Sequence, residues 1–360
     1  MVNPKAYLAE NLFEKDIKSF AKIYIEPHQT IILDEFQYAK TGGQKLKYLY
    51  DFYPGKKIII SGSSSIDLTV RAIKYLVGRI LTFPLYPFSF PEFLLAKNPT
   101  LAGLLTNGGV FSEALNKQME PYLREYLIYG GYPEVVLALD YNFKQTILKN
   151  IQEIYFLKDV TNLAGLIGDW KLKKLVKILA ANLGGVVNYT ELATTANIDF
   201  KTLKSYLSFL EKTFIILMVP PFFTNKNKEL TKNPKIYFGD SGLRNALINS
   251  FEPLLLRRDT GFLLENLVAL ELLFSGQKPR FWRTKAKAEV DFVVEKGKNK
   301  IPIEVKISAT KGKISRGFRS FITRYQPEKA FIANLNFFGK KKVGKTALIF
   351  LPPYLIRTAP

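Results

Sequence analysis

Three residues near the C-terminus have the types and spacing to do chemistry. Asp291 stands in AEVDFVVE, and Glu304 and Lys306 stand in IPIEVK. Both segments read as strands, and residues i and i+2 of a strand share a face, so Glu304 and Lys306 project together. The intervening KGKNK is a hairpin signal. It brings Asp291 opposite Glu304 or within one step of it, and the sequence does not fix which. Two carboxylates so placed can hold Mg²⁺ by oxygen ligation, and a neighbouring lysine can orient or activate water and stabilise charge at phosphorus. A second acidic pair, Asp34 and Glu35, ends the apolar run of TIILDEFQ.

Other chemistries are excluded by composition. The 360 residues contain no cysteine and one histidine, His28. There is therefore no disulfide framework, no thiolate nucleophile and no cysteine-ligated metal. A multi-histidine zinc site is also excluded, and a Ser-His-Asp triad would depend on His28 alone. His28 lies near a strand start, where a surface or capping role is expected. Catalysis would fall to carboxylates, lysines, hydroxyls and a hard cation.

The elements that must position these residues form an α/β chain. At the N-terminus, helical spacing over Tyr7–Ile25 is followed by the TIIL strand, a helix over Lys45–Phe52, and a second strand ending in SGSSS. A helix over Asp67–Val77 and a third strand in GRILTFPLYPF complete the expected βαβ pattern. The next stretch, to about Asp169, is mostly helical and is interrupted by GGYPE. Three short helices follow, over Leu172–Leu183, Tyr189–Thr195 (opening at Asn188) and Phe200–Thr213. They predict a helix-turn-helix, with NKNKELTKNPK as a wing. The last part opens with a helix over Phe262–Phe274 and continues with five strand-like runs. The expected boundaries are residues 1–95, 96–245 (helix-turn-helix and wing at about 170–240) and 246–360.

Charge points to a polyanionic partner. The chain has 52 Lys and Arg against 31 Asp and Glu, a net +21. Between Glu271 and Pro360 there are 20 basic and 6 acidic residues, 20 − 6 = +14, about two-thirds of the excess. Such a balance suits nucleic acid, here DNA. Lys201 and Lys204 on the third helix of the trio, with Lys226, Lys228 and Lys232 in the wing, suit phosphate contacts. The segment Gly339–Thr346, GKKKVGKT, matches the phosphate-loop pattern G-x4-G-K-T. A working phosphate loop leads from a strand into a helix, and here ALIFLPPY follows. A basic hairpin turn is the better reading, with Lys340, Lys341 and Lys342 free to touch a nucleic-acid backbone. No apolar stretch is long enough to span a bilayer and no signal peptide is recognisable, so a cytoplasmic location is expected.

Several motifs in order resemble a known family. LDEFQ (Leu33–Gln37) looks like a Walker B motif, which implies that Asp34 holds a magnesium water and Glu35 positions the attacking water. SGSSS (Ser61–Ser65) resembles the strand end that senses the γ-phosphate, with Ser61 and Ser63 as the sensing residues. Arg79 in GRI matches a recurrent Gly-Arg that contacts phosphate or a neighbouring subunit of a homo-oligomer. With FPEFL, GGYPE, YFGDSGLRNAL, GFLLENLV, EVDFV and IPIEVK, the chain resembles prokaryotic AAA-type ATPases that carry a winged helix and a PD-(D/E)xK nuclease-like domain. The resemblance implies a partial P-loop parallel sheet, a winged-helix middle and a nuclease-like end. It adds Glu265, on GFLLENLV, to Asp291 and Glu304 as metal-holding acids for Mg²⁺, with Lys306 assisting water. Family members open with a phosphate-loop strand, and Met1–Thr30 contains no glycine. ATP hydrolysis by residues 1–360 is therefore not expected, whether the start is truncated or natural. Two outcomes stay open for the C-terminal domain: Mg²⁺-dependent DNA cleavage, or a non-catalytic DNA-binding scaffold with a pseudo-ATPase core.

Overall fold

A computed structural model describes residues 11–36, 39, 41–62, 75–106, 112–154, 170–223, 232–309 and 313–358. The chain divides into two compact units, residues 1–85 and 86–360.

In the first unit, residues 11–15 are helical, and α1 (Ile17–Phe20) continues into a π turn over Ala21–Ile25. Strand β1 (Thr30–Leu33) pairs in parallel with β2 (Lys57–Ile60) across helix α2 (Gly42–Phe52). Phe13, Phe20, Ile25, Ile31, Leu46 and Leu49 make the core. Side chains alternate along a strand, so the opposite face carries Ile32, which is 68% exposed, and Ile59. The third strand expected in GRILTFPLYPF does not form. Residues 80–86 have no ladder partner, and Leu81, Phe83 and Leu85 are exposed. Pro84 and Pro87 lack the N–H that a ladder needs, which an apolar count overlooks. The Asp67–Val77 helix lies mostly outside the described residues.

The second unit begins with helices α3 (Phe90–Lys97), α4 (Pro99–Thr106), α5 (Glu113–Tyr129), α6 (Pro133–Leu137) and α7 (Tyr141–Ile154). Helices α8 (Trp170–Ala181), α9 (Tyr189–Ala196) and α10 (Phe200–Lys212) follow within two residues of their expected bounds. Asn188 caps α9 by accepting from the Glu191 N–H at 3.3 Å, and Asp199 caps α10 through the Thr202 N–H at 2.9 Å. Strands β3 (Ile216–Val219) and β4 (Lys235–Phe238) then pair antiparallel. The tip between them, with Lys226 and Lys228, lies outside the described residues.

Helix α11 (Ser241–Leu247) leads to α12 (Thr260–Phe274) and a six-stranded mixed sheet. Its strands are β5 (Arg280–Arg283), β6 (Glu289–Lys296), β7 (Asn299–Val305), β8 (Lys329–Ala333), β9 (Gly339–Val343) and β10 (Thr346–Leu351). Their spatial order is β5-β6-β7-β8-β10-β9. Helix α13 (Arg316–Tyr325) crosses over between β7 and β8, which run parallel. One sheet face packs Phe292, Ile303 and Phe331 into a core shared with α12 and the helices before it. The other packs Val293, Ile332 and Phe350 against Phe318 and Phe321 of α13. GKKKVGKT is a hairpin, as expected: β9 pairs antiparallel with β10 around Gly344, whose φ is +61°.

Candidate functional site

Helix α12, strands β6 and β7 with the residue after β7, and strand β4 bring six charged side chains together. The β6–β7 ladder ends at Phe292 opposite Ile303, so Asp291 stands one step beyond, across from Glu304. On its other side β6 is irregular. Arg280 pairs with Val293 and Trp282 with Val290, which leaves an extra residue in β6 around Asp291. A bulge of this kind re-aims a side chain and releases it from the ladder. The freed Asp291 carboxylate accepts from the Val305 N–H at 2.8 Å.

Glu265, on the second turn of α12, accepts from the Tyr237 hydroxyl at 2.9 Å and lies 3.8 Å from Lys235 Nζ. Lys235 also reaches Glu289 at 2.6 Å. Its side chain is only 5% exposed, and Tyr237 is fully buried. Directly after β7, Lys306 Nζ stands 3.4 Å from Glu304 Oε1, while Glu304 Oε2 is buried with no hydrogen-bond partner among the described residues. Register places Glu304 beside Ile332, whose side chain belongs to the core under α13. Glu304 and Lys306 thus form one pair, and Glu265, Glu289 and Lys235 form a separate triad, with Asp291 between them.

The electrostatics follow from burial and crowding. Burial first, and then the nearby Glu265 carboxylate, pushes the Asp291 carboxyl up to about 8 against the pull of Lys235 and the Val305 N–H. Glu265 is raised as well, because burial outweighs Lys235 and the Tyr237 hydroxyl. Burial alone would lower Lys235. The Glu265, Asp291 and Glu289 carboxylates overcome it and hold the ammonium above its ordinary range.

This arrangement does not suit the Mg²⁺ site that the family resemblance implies. Among the described residues no group of three or more acidic or histidine side chains is placed to hold a metal ion. Glu265 is held by Tyr237 and Lys235, and Glu304 carries Lys306.

In the first unit, Asp34 and Ser61 meet at the C-terminal ends of the parallel strands, where the Ser61 hydroxyl donates to the Asp34 carboxylate. Glu35 follows in a left-handed conformation, φ +53°, and its N–H donates to Asp34 Oδ1 at 3.0 Å. Arg79 is not brought to this pair. It bridges to Asp51 in the last turn of α2 at 2.9 Å and covers the Tyr50 ring. Ser63 lies outside the described residues.

The basic residues singled out from sequence are on the surface. Lys201 and Lys204 are exposed on α10, with Lys204 Nζ 4.9 Å from the Phe200 ring centroid. Lys340, Lys341 and Lys342 are exposed along β9, an edge of the sheet. His28 is exposed, and its backbone carbonyl accepts from Lys56 at 2.9 Å.

Sequence reasoning missed Lys235 and Glu289. The available signal was one lysine heading KIYF, a strand buried at all four positions. It also left the role of two motifs unread. Gly131 of GGYPE donates its N–H to Asp240 of YFGDSGLRNAL at 2.7 Å, and a Cβ at Gly131 would come within 2.2 Å of the Phe88 carbonyl oxygen. Those motifs form a packing joint.

Comparison with known proteins gives three family matches. Residues 2–94 match an AAA domain, residues 120–254 the domain of unknown function DUF8612, and residues 260–351 the domain of unknown function DUF4143. An uncharacterized protein of Haemophilus influenzae is 29% identical over 297 residues, covering 81% of this chain and 68% of that protein. An uncharacterized protein of Methanocaldococcus jannaschii is 28% identical over 305 residues, 82% of this chain and 65% of its own length. One of Mycobacterium tuberculosis is 30% identical over 277 residues, 75% and 56% respectively. The chain thus spans 56% to 68% of the length of these relatives. No solved structure matches. Among the described residues no helix is long and apolar enough to cross a membrane.

Proposed function

We propose that this AAA-family chain is a nucleic-acid-associated protein whose C-terminal domain binds DNA through a PD-(D/E)xK-like fold that does not cleave it. The observation that carries the reading is the exposed lysine of the second unit, above all Lys340, Lys341 and Lys342 in a row on one sheet edge. Lys340 and Lys342 share one face of this edge strand and Lys341 takes the other, so a backbone running along the edge can be met from both sides. The order helix, three antiparallel strands, crossover helix, parallel strand (α12 to β8) supports the nuclease-like fold. The trio α8–α10 followed by the β3–β4 hairpin supports a winged helix, with Lys201 and Lys204 exposed on its third helix.

Duplex DNA binding followed by fluorescence anisotropy across a salt series tests this. The expected affinity falls steeply with salt, and replacing Lys340, Lys341 and Lys342 by Ala flattens the log–log slope by about 2–3. An unchanged slope would remove β9 from the interface.

A second reading is Mg²⁺-dependent cleavage through Asp291, Glu304 and Lys306. The buried Glu304 Oε2, without a partner among the described residues, favours it. Cleavage by the wild type that is lost in Lys306→Ala would establish it over the first. For the first unit, the pairing of Asp34 with Ser61 at the strand ends supports a nucleotide-type site.

A further inference from the structure

The carboxylate cluster of the second unit already contains a cation. Lys235 Nζ lies 2.6 Å from Glu289 and 3.8 Å from Glu265, and the Asp291 carboxylate adds its field to both. The ring of Phe281 lies 5.6 Å from the same ammonium. With the side chain 5% exposed, water cannot do the work of these partners. Tyr237, two residues along the same strand, donates to Glu265, so β4 contributes two adjacent contacts to the cluster.

The strand that carries Lys235 is pinned on both edges. It pairs with β3, and its other edge receives the loop after α8. There the Val187 N–H donates to the Pro234 carbonyl at 2.9 Å, the Gly184 N–H to the Ile236 carbonyl at 2.8 Å, and the Ile236 N–H to the Gly185 carbonyl at 3.3 Å. The backbone at Lys235 is therefore fixed, and the cluster is within reach of its side chain.

We propose that Lys235 is the resident counter-ion of the cluster, standing where a divalent cation would stand among Glu265, Asp291 and Glu289, so that ammonium and cation exclude one another. Like charges a few ångströms apart repel strongly where water is excluded, and the carboxylates cannot satisfy both. The ammonium accounts for acids that gather in one place without forming a metal-holding group. The inference is independent of DNA binding.

The test uses the full chain and Mn²⁺ alone as the probe, with bound metal read by electron paramagnetic resonance and stability by thermal unfolding. The wild type is expected to bind Mn²⁺ weakly, with its unfolding temperature unmoved. Lys235→Met and Lys235→Gln are expected to bind at least about tenfold more tightly and to gain stability from the metal, as a ligand of the folded state must confer. Adding Asp291→Asn is expected to cancel the gain. A variant that folds only with Mn²⁺ supports the proposal in the same way. Equal binding by wild type and variants would overturn it. So would variants that gain no affinity, or that stay unfolded at saturating Mn²⁺.

Discussion

At the scale of single residues, buried carboxylates set how the fold responds to pH. Glu271 is fully buried, and one oxygen accepts from the Phe90 N–H at 2.8 Å while the other has no partner among the described residues. Burial pushes its carboxyl from 4.5 up to about 7, against the Phe90 N–H and Arg357. The fold therefore prefers the neutral acid. Its contribution is full below the unfolded value and is lost as pH rises through about 7. Glu271→Gln keeps the acceptor and removes the charge. Denaturation at pH 8 is expected to find the variant more stable than wild type by about 2–3 kcal/mol, an advantage gone by about pH 4. A difference that does not change with pH would contradict this. Asp259 behaves oppositely. Despite its burial, Arg257 and Arg244 hold it down to about 2, so its stabilisation is present above the unfolded value near 3.8 and is lost as pH falls toward 2. Asp259→Ala leaves the buried Arg244 guanidinium unpaired and is expected to cost about 3 kcal/mol at pH 7, measured by urea unfolding. A loss below 1 kcal/mol would show that the Ala180 carbonyl and Asn245, which Arg244 also contacts, suffice. Single residues were only partly legible. Asp291, Glu304 and Lys306 could be read because acid, spacer and Glu-x-Lys sit on recognisable strands. Lys235 could not, because a lysine at the head of an apolar strand reads as a solvated strand end.

At the scale of elements, the sequence was most legible where an apolar run meets an unambiguous cap or turn. Helices α8 to α10 begin and end close to where Asn188, Asp199 and the short NID turn require. The KGKNK hairpin brings Asp291 opposite Glu304, one of the two registers that the sequence allowed. The failures have physical causes. GRILTFPLYPF has the composition of a strand, but its prolines cannot complete a ladder. The β6 bulge depends on how β5 and β7 pair with the two edges of one strand, which no local pattern encodes. Gly131 of GGYPE and both glycines of YFGDSGLRNAL are positions where two backbones touch. A Cβ at Gly242 would sit 2.0 Å from the Tyr129 carbonyl oxygen. Gly131→Ala and Gly242→Ala are each expected to lower stability by more than about 2 kcal/mol, since backbone must move to admit the methyl group. Thermal unfolding within about 1 °C of wild type would contradict that joint.

At the scale of the whole molecule, charge and the carboxylate cluster make separate statements. The +21 is carried largely by the last quarter of the chain, and its exposed lysines give a cationic surface on the second unit. The cluster carries its own cations, with Lys235 bridging to Glu289 and Glu265 and Lys306 to Glu304. Under the proposed function, these two features together let the protein bind a polyanion without hydrolysing it. The most direct measurement follows labelled duplex DNA with the full chain in Mg²⁺ buffer, reading anisotropy and strand integrity on the same sample over a salt series. The account predicts binding that weakens steeply as salt rises, with strands intact and Lys306→Ala indistinguishable from wild type in cleavage. Salt-insensitive or absent binding, or Mg²⁺-dependent cleavage that disappears in Lys306→Ala, would contradict it.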